Sequence, residues 1–414
     1  MILKLVILTV YAITVLYDLW LHILSARSEH NPVPENCKGI YDSETYASWK
    51  QYHAEKNRFS IIRILTSSAV LLFLLLFDVF ARIAYPFREQ PYFVALTVFL
   101  FYQVVSAVVN LPFDYHFTMG IEQKYGFNRT SQKTFWIDQI KSFLLESTLA
   151  GGLLCTFISL HTAFGNWILL LFVGVLFFFT LIGTFLSPVF SKLFNKFVPL
   201  EDGDLRTRLT RMLERYGYRV RAILVMDASR RSTKSNAYFT GFGYMKTIVL
   251  YDTLLSSFTD DEICAVFAHE MGHGLHRDTL KRQVLSLMTI SLITLIAWID
   301  VTVPSICTCF GFDRVNYGFV LILLIQVELA LLSPLISLFT ACISRTQEFH
   351  ADWQAVREGL GEAMISGLKK IARENFADLS PDPMLVRLTY DHPPLSERFR
   401  AIEKALDQPH QRQK

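Results

Sequence analysis

The stretch FTDDEICAVFAHEMGHGLH, residues 258–276, decides how the rest of the chain is read. Thr259 followed by Asp260, Asp261 and Glu262 reads as an N-cap and first turn, where a helix dipole favours negative charge. Ile263, Val266 and Phe267 then recur at helical spacing. On such a helix His269 and His273, four apart, lie one turn above the other on one face. Both imidazoles can therefore reach a single tetrahedral ion, with Glu270 beside them. This is the HExxH pattern, in which two histidines bind zinc and the glutamate is the general base toward metal-bound water. The plainer alternative is a solvated helix face with satisfied histidines. Gly272 and Gly274 count against it, since each costs a helix about 1 kcal/mol relative to alanine and suggests close approach of another backbone or ligand.

The surroundings of that helix are those of an integral membrane protein. The chain has 414 residues, 52% hydrophobic and 14% aromatic, too apolar for an ordinary soluble domain. Seven stretches, near residues 2–24, 64–83, 92–109, 143–160, 167–190, 284–306 and 319–343, meet the requirement of about 20 mostly apolar residues for a spanning helix. The first is too long for a signal peptide and lacks a small-residue cleavage site, so it is read as a span. Arg27, Lys38, Lys50, Lys56 and Arg58 follow the first stretch, and Lys124, Arg129, Lys133 and Lys141 follow the third. The alternate loops hold only Arg82, Arg88 and Arg314. The excess of basic residues places the amino terminus on the luminal or external side. The long segment between spans five and six and the carboxy-terminal tail are then cytosolic. A net charge of +3, with no basic patch interleaved with aromatics, gives no indication of a nucleic-acid partner. The six cysteines form no CxxC pattern and are read as free thiols. The sequon at Asn128 falls on the cytosolic side and is expected to remain unmodified.

The expected architecture is mainly α: a polytopic membrane protein whose spans divide an α+β metalloprotease domain. Residues 1–190 hold spans one to five, 191–283 the first part of the soluble domain, 284–343 spans six and seven, and 344–414 the second part and tail. EDGDLRTRLTRMLERYG reads as a charged helix. RVRAILVMDAS and SNAYFTGFGYMKTIVLYDTLL read as two or three strands with a tight turn marked by Gly241 and Gly243. A catalytic zinc needs a third protein ligand, and SRTQEFHADWQA after span seven offers one. Glu348 and Asp352 are one helical turn apart, so Glu348 can ligate while Asp352 supports a ligand imidazole. His350 competes for the ligand role. Among ionisable residues in or near spans (Asp18, Asp78, Glu328), Glu328 is the most interior, and Pro334 is expected to bend its helix.

These motifs resemble those of the type I CAAX prenyl proteases, integral-membrane zinc metalloproteases. HEMGH, SRTQEFHAD, SNAYFTGFG and DHPPLSERFRAI are similar to that family's motifs, and GIEQKYGFNRTSQKTFWIDQIK, residues 120–141, resembles the loop that separates it from smaller relatives. The resemblance implies seven transmembrane helices enclosing a chamber. It implies one Zn2+ held by His269, His273 and Glu348, with Glu270 as base and Asp352 behind a ligand histidine. His392 and Arg398 would stabilise the oxyanion and anchor the site. Asn236 and the strand of Ala237, Tyr238 and Phe239 running to Gly241 would pair with an extended substrate. The implied activity is removal of the C-terminal tripeptide of prenylated, for example farnesylated, CAAX proteins at the endoplasmic reticulum membrane, with the catalytic domain facing the cytosol and membrane lipid as neighbour. A second cleavage upstream of the prenylated cysteine is included in that expectation. Asp278 stands where relatives often carry a histidine, and His276 lies three residues after His273, a pattern shared with bacterial heat-shock membrane proteases. The alternatives are a membrane quality-control zinc protease and, from another class, a transporter or a scaffold with a vestigial HExxH.

Overall fold

The computed structural model describes residues 1–240 and 245–408. The amino-terminal part is helical: α1 (Ile2–Ser28), α2 (Ser43–Leu76), α3 (Val79–Ala84), α4 (Pro91–Tyr115), α5 (Gln132–Phe164) and α6 (Ile168–Ser191). Among the described residues, six helical stretches are long and apolar enough to cross a membrane: Ile2–Ser28, Ser43–Leu76, Pro91–Glu122, Gln132–Gly183, Asp278–Thr302 and Tyr317–Arg357. The fourth, at 52 residues, would measure roughly 78 Å if straight, against a hydrocarbon core of about 30 Å. Gly165, at φ +54°, ends α5, and α6 returns packed against it. Leu5, Leu16, Phe73, Leu170, Phe179 and Phe339 point outward, the reverse of a soluble protein and the natural arrangement in lipid.

The polar region opens with β1 (Phe197–Pro199), α7 (Asp204–Arg215), β2 (Arg219–Met226), β3 (Ala237–Thr240) and β4 (Met245–Tyr251). The sheet order is β1-β2-β4-β3, with β2 parallel to β4 and β3 antiparallel to it. Among the described residues, the two stretches expected to hold two or three strands hold three, and a fourth precedes them. The extra one, β1, is three residues long and ends in Pro199, too short for a periodic pattern. The expected turn at Gly241 and Gly243 lies outside the described residues. Next come α8 (Asp252–Ser257), α9 (Asp260–Leu275), α10 (Asp278–Thr302), α11 (Ser305–Thr308), α12 (Tyr317–Leu323) and α13 (Leu329–Arg357). The chain closes with α14 (Gly361–Glu374), α15 (Pro383–Thr389) and α16 (Leu395–Leu406).

Helix α13 runs unbroken through Pro334 and the expected boundary at 343/344, carrying one helix from the membrane region into the polar domain. A π-helical turn, Leu324–Glu328, precedes it and brings Glu328 within hydrogen-bonding reach of Asp300 on α10. The polar domain's core joins Ile263, Phe267 and Met271 of α9 to Leu209 and Leu213 of α7, Ile248 of β4, Leu368 of α14 and Phe399 of α16. Cys37 and Tyr41, from the connection after α1, and Trp49 of α2 enter the same core and tie it to the amino-terminal helices. All six cysteines are free. A cavity of about 340 Å3 opens among α1, α2, α4 and the Leu324–Glu328 turn, lined in part by Tyr11, Asp18, Arg63, Asn110 and Gln326.

Candidate metal centre

Helix α9 starts where its sequence demands. Thr259 accepts from the Glu262 N–H at 3.4 Å while Glu262 Oε2 accepts from the Thr259 N–H at 2.9 Å, a complete capping box. Glu262 is buried and also accepts from Ser366 and Lys370 of α14, both at 2.6 Å, which fixes the helix in the core. Ten residues on, His269 and His273 share a face, with rings 5.0 Å apart. Against this face lies α13. A Cβ on Gly272 would sit 2.9 Å from Ala351 Cα and 3.1 Å from Gln354 Cβ, so only glycine allows this helix approach. That contact accounts for Gly272 within the HExxH helix and brings Glu348 and Asp352 to the histidines.

Donor atoms of His269, His273 and Glu348 all lie within 4.8 Å of one another. His269 Nε2 is 3.4 Å from Glu348 Oε2, and His273 Nε2 is 3.3 Å from Glu348 Oε1. Tetrahedral ligands bound at 2.0–2.1 Å stand about 3.3 Å from one another, so these separations fit one ion better than direct hydrogen bonds. Glu348 Oε2 is buried with no hydrogen-bond partner, an orphaned acceptor that a cation would satisfy. The residues present therefore fit zinc. His350 does not join them. It is exposed, its ring 5.2 Å from that of His276.

Both imidazoles are backed by carboxylates. His269 Nδ1 lies 2.9 Å from Asp352 Oδ1, and His273 Nδ1 lies 3.1 Å from Asp278 Oδ2. These contacts leave each Nε2 free to ligate. The role of Asp278 was missed in the sequence, where it stood only as a departure from relatives. Arg277 takes the left-handed conformation (φ 56°) between α9 and α10 and turns the fully buried Asp278 back onto His273. Arg398, expected with His392 to stabilise the oxyanion and anchor the site, is buried. It donates to Asp352 through Nε at 2.8 Å and Nη2 at 2.6 Å, with Nη1 3.6 Å from Glu348 Oε2. Its guanidinium lies against both acids and offsets their mutual repulsion. Burial alone would depress the His269 imidazolium, but Asp352 and Glu348 outweigh it and raise it to about 9.

Glu270 follows His269 and is half-buried. His392, in the loop before α16, is half-exposed, with Nε2 3.5 Å from Glu348 Oε1 and Nδ1 2.8 Å from Asp391 Oδ1. The Asp391 contact raises the His392 pKa against the opposing effect of burial. Its Nε2 faces the cluster, where it can act as a donor.

Strand β3 is an edge. Among the described residues it pairs only with β4, Ala237 opposite Leu250 through Thr240 opposite Thr247, and it packs beside α9. Asn236 precedes it, exposed, its Oδ1 accepting from the Ala237 N–H at 2.8 Å and its carbonyl accepting from the Tyr251 N–H at 3.2 Å. Tyr238 sits 6.5 Å from the Tyr251 ring. Phe239 continues the backbone pairing opposite Ile248, and Gly241 lies outside the described residues.

Two family models match the chain: "CAAX prenyl protease N-terminal, five membrane helices" over residues 22–196 and "Peptidase family M48" over residues 199–406. A protein named CAAX prenyl protease 1 from Saccharomyces cerevisiae is 30% identical, covering 87% of this chain and 86% of its own length. An Arabidopsis thaliana protein named as its homologue is 31% identical over 90% of each chain. Among solved structures, the crystal structure of S. mikatae Ste24p superposes with a TM-score of 0.90 at 28% identity, covering 97% of this chain and 99% of that one.

Proposed function

The chain belongs to peptidase family M48 and, within it, to the zinc metalloendopeptidases of the CAAX prenyl protease type. On this premise we propose how its residues divide the work. His269, His273 and Glu348 hold one Zn2+, which when bound polarises the scissile carbonyl and acidifies water. Glu270 accepts the proton that water loses and delivers it to the leaving amine. His392, held by Asp391, donates to the oxygen that gains negative charge, a contribution of about 2.7 to 4 kcal/mol for donors of this kind. Asp352, Asp278 and Arg398 orient the ligands. The observation that carries this reading is the convergence of three donors within 4.8 Å of one another, each histidine 3.3 or 3.4 Å from Glu348, around a buried carboxylate oxygen with no hydrogen-bond partner.

The substrate lies as an added strand on Asn236 to Gly241, held through its backbone. Its prenyl group stays among the spans, because α9 leads directly into α10 and Glu348 lies on the continuation of a spanning helix. The fourth apolar stretch crosses twice, turning at Gly165, giving seven spans around a chamber. Residues 191–283 and 344–414 are the two halves of the protease domain, on the cytosolic face of the endoplasmic reticulum membrane. The products are the C-terminal tripeptide of a farnesylated protein and, by a second cleavage, an upstream segment.

Metal content tests the ligand assignment. Glu348→Ala should release zinc, His350→Ala should not, and Glu270→Gln should retain zinc while losing turnover. Stoichiometric zinc in the Glu348 variant, or metal loss in the Glu270 variant, would overturn the roles.

A further inference from the structure

The loop that follows α4, whose sequence set this chain apart from smaller relatives, reaches the strand assigned to substrate. The π-helical turn His116–Glu122 ends at Glu122, which is 9% exposed. Its carboxylate accepts from Tyr52 of α2 at 2.5 Å and from Lys234 Nζ at 3.1 and 3.3 Å. Lys234 lies two residues before Asn236, and its ammonium also stands 4.7 Å over the Phe127 ring. Backbone pairing runs alongside. The Arg129 N–H donates to the Arg231 carbonyl at 2.9 Å, the Thr233 N–H donates to the Phe127 carbonyl at 3.2 Å, and Asn128 bridges Ser232 antiparallel. Downstream, Ser235 donates to Glu374 of α14 at 2.6 Å, and Thr253 donates to the Lys234 carbonyl at 3.1 Å.

We propose that the loop at residues 122–130, through the Glu122–Lys234 ion pair and this backbone pairing, is a clamp that sets the register of β3 for strand addition by the substrate. The proposal rests on the reading that the peptide pairs with β3. Strand addition gains affinity from main-chain hydrogen bonds only if the receiving edge is already ordered, since ordering it on binding subtracts from the gain. β3 is four residues long and, among the described residues, has a strand neighbour on one side only, so its own sheet contacts hold it weakly. The clamp supplies order from the membrane side, linking α2, the loop after α4 and the lead-in to the strand. A buried carboxylate with an ammonium and a phenol on it tolerates few alternative positions. Glu122 and Lys234 are positioning residues, 112 residues apart in sequence.

The test uses the full chain in detergent or bilayer discs, a prenylated peptide, and versions of it methylated singly at each backbone nitrogen flanking the scissile bond. On the unaltered enzyme, at least one N-methyl peptide should show a raised KM, because its amide can no longer donate to the edge. Lys234→Met and the near-isosteric Glu122→Gln should raise KM for the parent peptide about tenfold, with kcat within about twofold and zinc content unchanged. The penalty for N-methylation should shrink in both variants, and Lys234→Arg should restore the parent behaviour. Equal KM changes for parent and methylated peptides would show a merely structural role. Unchanged KM in both variants, with the methylation penalty intact, would overturn the clamp and leave the β3 reading standing. If no methylated peptide differs from the parent on the unaltered enzyme, the β3 reading fails, and the clamp with it.

Discussion

Gly272→Ala is the smallest change that should separate the geometry of the metal centre from the stability of the fold. The new methyl would meet Ala351 Cα at 2.9 Å, Gln354 Cβ at 3.1 Å and Ala351 Cβ at 3.4 Å. Ordinary carbon–carbon contact is about 3.5 to 4.0 Å, so α13 must retreat from α9 by roughly 0.6 to 1 Å. The blocking atoms are one backbone Cα and two Cβ carbons that move only with the backbone, so no side-chain rotation relieves the contact. Overpacking of this kind costs about 1 to 3 kcal/mol, partly offset by the gain of about 1 kcal/mol for alanine over glycine in a helix. Net stability should therefore fall by no more than about 2 kcal/mol. The centre is less forgiving, because Glu348 and Asp352 travel with α13 while His269 and His273 stay with α9. A site held within about 0.5 Å of productive geometry loses on the order of a hundredfold in rate when misplaced by 1 Å. The assay is single-turnover cleavage of a prenylated peptide at saturating zinc, beside thermal unfolding in the same detergent. Wild-type turnover in Gly272→Ala would refute the idea that this glycine sets the spacing of the two helices. A collapse of stability with proportionate loss of activity would refute the separation of the two effects.

Asp278→Asn should weaken zinc binding about 10- to 100-fold, as removal of a carboxylate behind a ligand histidine does, measured by competition with a chelator; unchanged affinity would return Asp278 to a purely structural place at the start of α10. His392 should set the alkaline limb of activity. Its pKa is raised chiefly by Asp391, so the imidazolium persists above its usual range and is lost as pH rises through the raised value. Asp391→Asn should then shift the alkaline limb of kcat/KM to lower pH, and an unmoved limb would remove His392 from the donor role.

The helix-borne parts of this centre were legible in the sequence because their logic is local. Thr259 with Glu262, His269 with His273, and Glu348 with Asp352 are pairs three or four residues apart, and helical periodicity alone puts each on one face. Gly272 announced a close approach without saying what approached. What stayed hidden depends on how elements meet. Asp278 reaches His273 only because Arg277 turns left-handed, a conformation with no signature in a run of polar residues. Arg398 matched a family position by motif, but its contact with Asp352 is visible only once α16 is docked. Asp300 and Glu328 come together between α10 and a π-helical turn, and periodicity does not foretell where a helix takes up an extra residue. The apolar pattern fixed where the chain meets lipid. The short β1 and the parallel pairing of β2 with β4 arise from tertiary packing that alternation cannot encode.

The central claim is that the spans serve the reaction by holding the substrate's lipid beside a metal centre at the end of α13. Each methylene withdrawn from water favours binding by about 0.8 kcal/mol, so even three or four buried methylenes should lower KM about 50- to 200-fold. The direct measurement is steady-state cleavage of two peptides of identical sequence, one farnesylated and one bare, by the intact chain in a bilayer disc. The account predicts a KM for the farnesylated peptide lower by at least that factor, with kcat much less affected. Equal KM and kcat for the two peptides would contradict it.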